Sequence, residues 1–406
     1  MLHIQGQPRA LAHLQRAIHS GRLASTWIFA GPPGVGKFNA ALAMAKTCLC
    51  DQPVYKPNRE ADESRLVTLP DEFILTLPCG TCESCRAVEH GTHPDLHVVS
   101  RQLIRYHDKS GKSKGTTLSI QVIRGEITGD DSEDHRVEAR LYKRSQRNRG
   151  KWFIIDEADL MELPAQNSLL KALEEPPPGS YLIMITASPG ELLSTIRSRS
   201  QIVLFAALPE AVMVTVLIQR GASTEQSRLL ARLSGGSLGR ALGWFDPEPT
   251  VARSTKIGGA AKTKAEKASA DVFTWVRHLT AGLENLAHGR GGSVELAATI
   301  HSQAEEYAQQ SVKRDPLASK DRAMRDGVAV MLGFAGEWFD DRLRNRVGSQ
   351  VSIPLPCTIH ALPESVIVEC LQIGRKAEAQ LDANAHVGLL LATTTTAWEQ
   401  AMAGSV

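Results

Sequence analysis

The stretch Trp27-Ile-Phe-Ala-Gly-Pro-Pro-Gly-Val-Gly-Lys-Phe38 decides how the rest of the chain is read. Trp27 to Ala30 is the apolar run of a buried strand, and the glycines and prolines after it end that strand in a turn. Asn39-Ala-Ala-Leu-Ala-Met-Ala-Lys-Thr, rich in strong helix formers, predicts a helix directly behind the turn. Gly31, Gly36 and Lys37 stand at the spacing G-x-x-x-x-G-K, that of a phosphate-cradling loop. In such a loop the backbone of Gly31, Pro32, Pro33, Gly34, Val35 and Gly36 wraps an anion at a helix N-terminus. Lys37 adds a point charge near the outer phosphates. One position departs from the pattern. Phe38 stands where a Ser or Thr hydroxyl should hold Mg²⁺, so ATP with Mg²⁺ is a doubtful cofactor while the fold signal survives.

At 406 residues the chain has room for two or three domains, each with its own core. A hydrophobic share of 42% and a charged share of 22% are those of a globular protein. The formal charge of +2 does not announce a nucleic-acid binder. The N-terminal residues lack a basic stretch followed by an apolar core, and no run of about 18 apolar residues appears, so neither a secretory leader nor a membrane span is expected. The seven cysteines are unevenly placed, and for a phosphate-loop protein an intracellular, reducing setting and a cytoplasmic location are expected.

Arg9 to His19 predicts an amphipathic helix with Leu11, Leu14 and Ile18 on one face. Further on, Cys79-Gly-Thr-Cys82-Glu-Ser-Cys85, with Cys50 upstream at the end of a helix, suits a tetrahedral four-cysteine zinc site. Cys48 is an alternative fourth ligand, and an iron–sulfur site or free thiols are the other readings. Four thiolates leave no open position, so such a zinc is structural. His93, Asp95 and His97 invite a metal reading, but a satisfied loop histidine beside a strand is the expected account. Ser119-Ile-Gln-Val-Ile-Arg124 predicts a capped helix start. The basic run from Arg140 to Lys151 suits either DNA phosphates or a solvated face.

Trp152-Phe-Ile-Ile-Asp156-Glu157-Ala-Asp159 is an apolar strand ending in acids. Downstream of a phosphate loop, the first acid orients Mg²⁺ and the second polarises the attacking water. A helix from Ala165 to Glu175 stops at Pro176, a strand from Tyr181 ends in the polar Thr186, and Arg197 and Arg199 precede a last strand ending at Phe205. Together these describe an α/β, doubly wound parallel sheet. Residues 207–245 predict a small helical segment, 246–270 a linker, and 271–406 an all-α domain, which the family resemblance set out next makes a lid and a collar. Cys357 and Cys370 read as ordinary small thiols of that helical region.

The assembled motifs resemble the AAA+ clamp-loader subunits of DNA polymerase III. The resemblance rests on Gly31 to Lys37, on Cys50, Cys79, Cys82 and Cys85, on Gly91-Thr-His-Pro-Asp95 and on Ile155-Asp-Glu-Ala-Asp159. It continues through Gln166-Asn-Ser-Leu-Leu-Lys-Ala-Leu-Glu-Glu-Pro-Pro177 and Ile196-Arg-Ser-Arg-Ser200, and more faintly through Gly235-Gly-Ser-Leu-Gly-Arg240 and Leu381-Asp-Ala-Asn-Ala385. It implies an AAA+ P-loop core over 1–206 with an embedded zinc module around 50–85. It also implies a hetero-oligomer with gamma/tau and delta subunits that opens a sliding clamp and places it on primer-template DNA. By the resemblance, Arg199 is a catalytic arginine acting in trans on a neighbour's γ-phosphate. Gly31 to Lys37, Asp156, Glu157, Thr186 and Arg240 form the chain's own nucleotide site. The family's Ser-Arg-Cys is Ser198-Arg-Ser200 here, which keeps the charge and changes the third residue. Phe38 fits a stator-like subunit with weak or absent ATPase activity. Two rivals are a gamma/tau-type motor and a zinc-dependent DNA-binding regulator using Arg140 to Lys151.

Overall fold

A computed structural model describes residues 4–61, 66–107, 117–128, 130–132, 135–137, 140–245, 272–315, 319–346 and 362–403. The expected linker, 246–270, and Cys357 lie outside the described residues. By internal contacts the chain divides into two units. The first holds the chain up to Met213 with Gly236–Arg240; the second holds Val214–Gly235 and the helices that follow Ala241.

The first unit opens with helix α1 (Pro8–Ser20), strand β1 (Thr26–Ala30) and helix α2 (Lys37–Leu49). An antiparallel ribbon follows, β2 (Val54–Pro57) with β3 (Ile74–Leu77), then helix α3 (Glu83–Glu89) and strand β4 (Leu96–Val99). Two short helices, α4 (Ile104–His107) and α5 (Ile120–Ile123), and a second ribbon, β5 (Asp130–Ser132) with β6 (His135–Val137), lead to β7 (Lys151–Ile155). Helix α6 (Leu163–Glu174), β8 (Ser180–Thr186), α7 (Ser194–Ser198) and β9 (Gln201–Leu204) complete the sheet.

The five main strands run in the order β4-β7-β8-β1-β9, and every pairing is parallel. The doubly wound parallel sheet expected from the motifs is therefore present. Strands β1 and β7 are buried along their whole length, as strands covered on both faces must be. Trp27, Phe29, Met44, Trp152, Ile183 and Phe205 form the main core between the sheet and α2. The insertion after Cys50 builds a smaller core: Leu66, Leu69, Leu75 and Leu77 pack on Leu11 and Ala12 of α1. The Gln15 amide joins β3 like a further rung, accepting from Thr76 N–H at 2.9 Å and donating to its carbonyl at 3.0 Å. Ser119 does precede α5, but its side chain makes no capping hydrogen bond; Val122 and Ile123 are buried and α5 packs on α6.

The second unit is helical: α8 (Glu210–Gln219, mostly within it), α9 (Thr224–Leu233), α10 (Leu238–Phe245, from Ala241 on), α11 (Val272–Ala287), α12 (Ser293–Arg314), α13 (Lys320–Arg346), α14 (Glu364–Asp382) and α15 (Val387–Ala403). Ser223 and Gln226 form a reciprocal capping box at the start of α9. Phe339 sits edge-on to its neighbour Trp338 on α13 and tilted against Trp398 of α15. Cys370 is buried among these helices, where burial pushes its thiol up to about 12, so it behaves as a small apolar side chain. Among the described residues no helix is long and apolar enough to cross a membrane.

Candidate nucleotide site and metal centre

The sheet order brings the carboxyl ends of β7, β8 and β1 side by side, and the nucleotide-site residues sit there. Ala30, at the end of β1, is in register with Thr186, at the end of β8. Gly31 N–H bonds to the Thr186 carbonyl, and the Thr186 hydroxyl accepts from Ser188 N–H at 2.9 Å. Asp156 directly follows β7 and is buried. The loop runs from Gly31 to α2, and the Gly-Gly-Ser-Leu-Gly-Arg segment ending in Arg240 lies against it. Ser237 Oγ donates to the Pro33 carbonyl and accepts from Arg240 N–H, while Gly239 N–H bonds to the Gly34 carbonyl at 2.9 Å.

Gly34 is required twice over. Its φ is +75°, and an added Cβ would lie 2.4 Å from Ser237 Oγ. At Gly36, φ is +96° and the nearest atom to an added Cβ is Ile4 Cγ2 at 3.9 Å, so conformation rather than crowding demands glycine there. Gly36 stands at the N-terminus of a 13-residue helix, the kind of helix end that suits a phosphate. Lys37 is only 7% exposed, and its ammonium donates to the carbonyls of Gly31 and Pro32, the latter at 2.7 Å. Burial lowers its pKa, while Asp159 and Asp156 act in the opposite direction. Nucleotide thus fits the residues present. Mg²⁺ does not fit: Phe38 packs its ring against the main core and offers no oxygen.

The second acid is engaged elsewhere. Glu157 has a left-handed backbone, φ +55°, and its carboxylate accepts from Arg101 Nε at 2.9 Å. Nothing in the local spacing announced that pairing, because its partners are 56 residues apart.

Arg199 is nowhere near this loop. It precedes β9, which runs parallel to β1, so it lies at the amino edge of the sheet, opposite its own phosphate loop. Its side chain is 37% exposed and is held by Glu174 at 3.0 Å and the Thr195 carbonyl at 3.1 Å. It is a partnered surface arginine.

The four cysteines converge. The Sγ atoms of Cys50, Cys79, Cys82 and Cys85 all lie within 4.8 Å of one another. Cys50 and Cys82 are 3.9 Å apart, and Cys79 and Cys85 are 4.0 Å apart. Thiolates at about 2.3 Å from one tetrahedral metal would be separated by about 3.8 Å, so the set fits such an ion. Backbone N–H groups of Cys79, Cys82 and Cys85 each donate to a cysteine sulfur at 3.3 Å. Hydrogen bonds from Cys82 and Thr81 bring the Cys79 thiol down to about 6, whereas burial pushes Cys50 and Cys85 up. Buried thiols of that kind ionise only beside a compensating positive charge. Cys48 packs into the main core instead, with its thiol pushed up to about 12, and it is Cys50 that joins the other three sulfurs in the cluster.

Two cations of the basic run meet the cysteine module. Arg147 pairs with Glu83 at 2.8 Å and Asp51 at 3.7 Å, and Arg149 donates to the Asp51 carbonyl. The buried Asp95 carboxylate accepts the N–H groups of Gln146 and Arg147 at 2.7 and 2.9 Å. Lys151 donates to the Arg140 carbonyl, and Arg140 pairs with Glu126. These cations are committed within the chain. His93 is buried and satisfied: Nδ1 accepts from Asp95 N–H, and Nε2 meets Ser84 Oγ at 2.8 Å, which donates on to the Leu49 carbonyl. It is no metal ligand in this arrangement.

A parallel sheet with a phosphate loop on one strand end and an acid pair on another defines a P-loop nucleotide-binding fold, here with a four-cysteine module built into it. The chain belongs to the DNA polymerase III delta-subunit family, whose model matches residues 6–209, half of the chain. The DNA polymerase III subunit delta' of Bacillus subtilis is 31% identical over 56% of this chain and 56% of its own. That of Escherichia coli is 30% identical over 60% of each. The gamma/tau subunit of Mycobacterium tuberculosis is 28% identical over 58% of this chain and 34% of its own. The chain thus spans somewhat more than half the length of the delta' relatives it matches.

Proposed function

We propose that this chain is the delta-prime, stator-like subunit of a bacterial clamp loader, acting in the cytoplasm within a hetero-oligomer of gamma/tau and delta subunits. Its part is to help place a sliding clamp on primer-template DNA by presenting Arg199 to a neighbouring ATPase site. The observation that carries this is Phe38, which removes the Mg²⁺-holding hydroxyl from a loop that is otherwise complete. Glu157, tied to Arg101, supports the same reading. So does Arg199, exposed at the sheet edge opposite its own loop, where a trans role is geometrically open to it. The domain scheme that goes with it is a core over 1–206, a lid over 207–245, a linker over 246–270 and a collar over 271–406. Zinc is the metal whose chemistry suits Cys50, Cys79, Cys82 and Cys85, and it would serve structure alone, joining the end of α2 to α3.

The test is ATP turnover of the isolated chain and of a reconstituted complex carrying Arg199→Ala. The isolated chain is expected to be inactive, and the variant complex to lose about 10³-fold at the site next to this subunit, the scale of an arginine finger. Robust turnover by the isolated chain would instead make it a gamma/tau-type motor. That second reading is favoured by the intact Lys37, Asp156 and Thr186 and by the 28% identity to gamma/tau.

A further inference from the structure

The four sulfurs come from two separate pieces of chain. Cys50 caps the end of α2, and Cys79, the first of the other three, stands 29 residues further on. A tetrahedral ion needs both pieces at one separation, and the short C-x₂-C-x₂-C loops fix only the second piece. If nothing else spanned the gap, much of the ion's binding free energy would go into closing it.

Ser84 spans it. This residue of α3 lies between Cys82 and Cys85 and is wholly buried. Its hydroxyl donates at 2.7 Å to the carbonyl of Leu49, the residue directly before Cys50. That carbonyl lies in the last turn of α2, where a helix leaves its acceptors without partners of its own. The Ser84 N–H reaches Asp51 Oδ2 at 3.4 Å, on the residue directly after Cys50. One residue thus grips both neighbours of the isolated ligand.

His93 fixes the direction of that grip. Its Nδ1 accepts Asp95 N–H at 3.1 Å, so the neutral ring carries its proton on Nε2. Nε2 then donates to Ser84 Oγ at 2.8 Å, and the hydroxyl proton is left to the Leu49 carbonyl. Hydrogen bonds therefore run one way, from Asp95 through the imidazole and the hydroxyl to the backbone beside Cys50. The far end is anchored, because the Asp95 carbonyl accepts Trp152 N–H of β7 at 2.8 Å. None of the three is open to solvent: Ser84 and Asp95 are wholly buried and His93 is 4% exposed. Arg147, between Asp51 and Glu83, braces the same gap from the solvent side, where an ion pair contributes less.

We propose that Ser84 and His93 are positioning residues for the metal centre, holding Cys50 at the separation from Cys82 and Cys85 that a tetrahedral ion requires. The proposal rests on reading the four cysteines as a zinc site. Neither residue touches the metal; they act through the backbone on either side of Cys50. With the gap closed beforehand, less of the binding free energy goes into ordering the chain.

The experiment measures Zn²⁺ affinity of the full chain by competition with a chromophoric chelator, and follows Co²⁺ in its place by visible absorption. The wild type is expected to hold one equivalent, with the Co²⁺ spectrum of a tetrahedral thiolate site. Ser84→Ala and His93→Leu should each weaken Zn²⁺ by about ten- to a hundredfold and alter the Co²⁺ bands. His93→Gln sets an amide N–H near the place of Nε2 and should return affinity to within about threefold of the wild type. Val203→Ala, on the edge strand at the opposite side of the sheet from β4, lowers stability and should leave Zn²⁺ affinity within about twofold. If His93→Leu fails to fold, Ser84→Ala, which removes a single oxygen, decides. Wild-type affinity in Ser84→Ala, a loss as large in Val203→Ala, or no recovery in His93→Gln would each overturn the proposal while leaving the zinc site standing. A wild-type chain that holds no Zn²⁺ would overturn the zinc reading and the proposal together.

Discussion

His97 shows at the scale of one residue how burial is converted into pH dependence. It lies on β4 with its ring stacked on Phe153, centroids 4.9 Å apart. Burial, followed by the charges of Arg140 and Lys151, holds its pKa down to about 4. An unfolded histidine takes up a proton near 6.5. Between those two values the unfolded chain binds a proton that the folded chain does not, so stability is full above about pH 6.5 and declines as pH falls toward 4. His97→Phe should flatten that decline. Urea midpoints at pH 7.5 and 4.5 measure it, and an unchanged pH slope in the variant would show that other groups carry the effect.

At the scale of elements, the cysteine module and the loop before β7 form one clasp, with the buried Asp95 as its pin. A carboxylate accepting two backbone N–H groups is worth more than an exposed ion pair. Asp95→Asn turns an amide NH₂ toward one of those donors and should cost about 1.5–3 kcal/mol. Arg147→Ala removes the partly exposed contact to Glu83 and should cost about 0.2–1 kcal/mol. Equilibrium unfolding of the two variants ranks them, and the opposite order would mean that the ion pair, not the pin, holds the loop. This level also marks the limit of what could be read beforehand. Strands β1, β7 and β8 were legible because apolar runs end directly in Gly31, Asp156 and Thr186. The C-x₂-C-x₂-C spacing announced the convergent thiols for a similar reason, since short loops fix their separations. The ribbon of Val54–Pro57 with Ile74–Leu77 was not legible, because its side chains alternate only weakly and its stability comes from leaning on α1. Arg147 with Glu83 and Arg101 with Glu157 were hidden too, since only the folded sheet brings them together. Read along the chain, Arg140 to Lys151 is a basic run; in the fold Arg140, Arg147, Arg149 and Lys151 have partners within this chain.

For the whole molecule, the two units keep their principal supports separate, and that makes their stabilities separately addressable. In the helical unit, Arg232 of α9 donates to Glu337 at 2.8 Å and to Asp341 at 3.1 Å, both on α13. Arg232 and Asp341 are almost wholly buried, so removing the cation strands the Asp341 carboxylate in a poor dielectric, while Glu337 keeps some access to water. Arg232→Ala should therefore destabilise the helical unit by about 3–5 kcal/mol, far beyond the range of a surface pair. The cysteine module lies wholly in the sheet unit, so Cys82→Ser should lower the stability of that unit instead. Tryptophans report on both: Trp27 and Trp152 in the sheet core, Trp275, Trp338 and Trp398 among the helices. Hydrogen exchange read by peptide gives the clean comparison. Arg232→Ala is expected to speed exchange in α9 and α13 and leave β1, β7 and β8 protected, while Cys82→Ser does the reverse. If each substitution loosened both sets of peptides equally, the chain would be unfolding as one cooperative body, and the division into a sheet unit and a separate helical unit would have no energetic meaning.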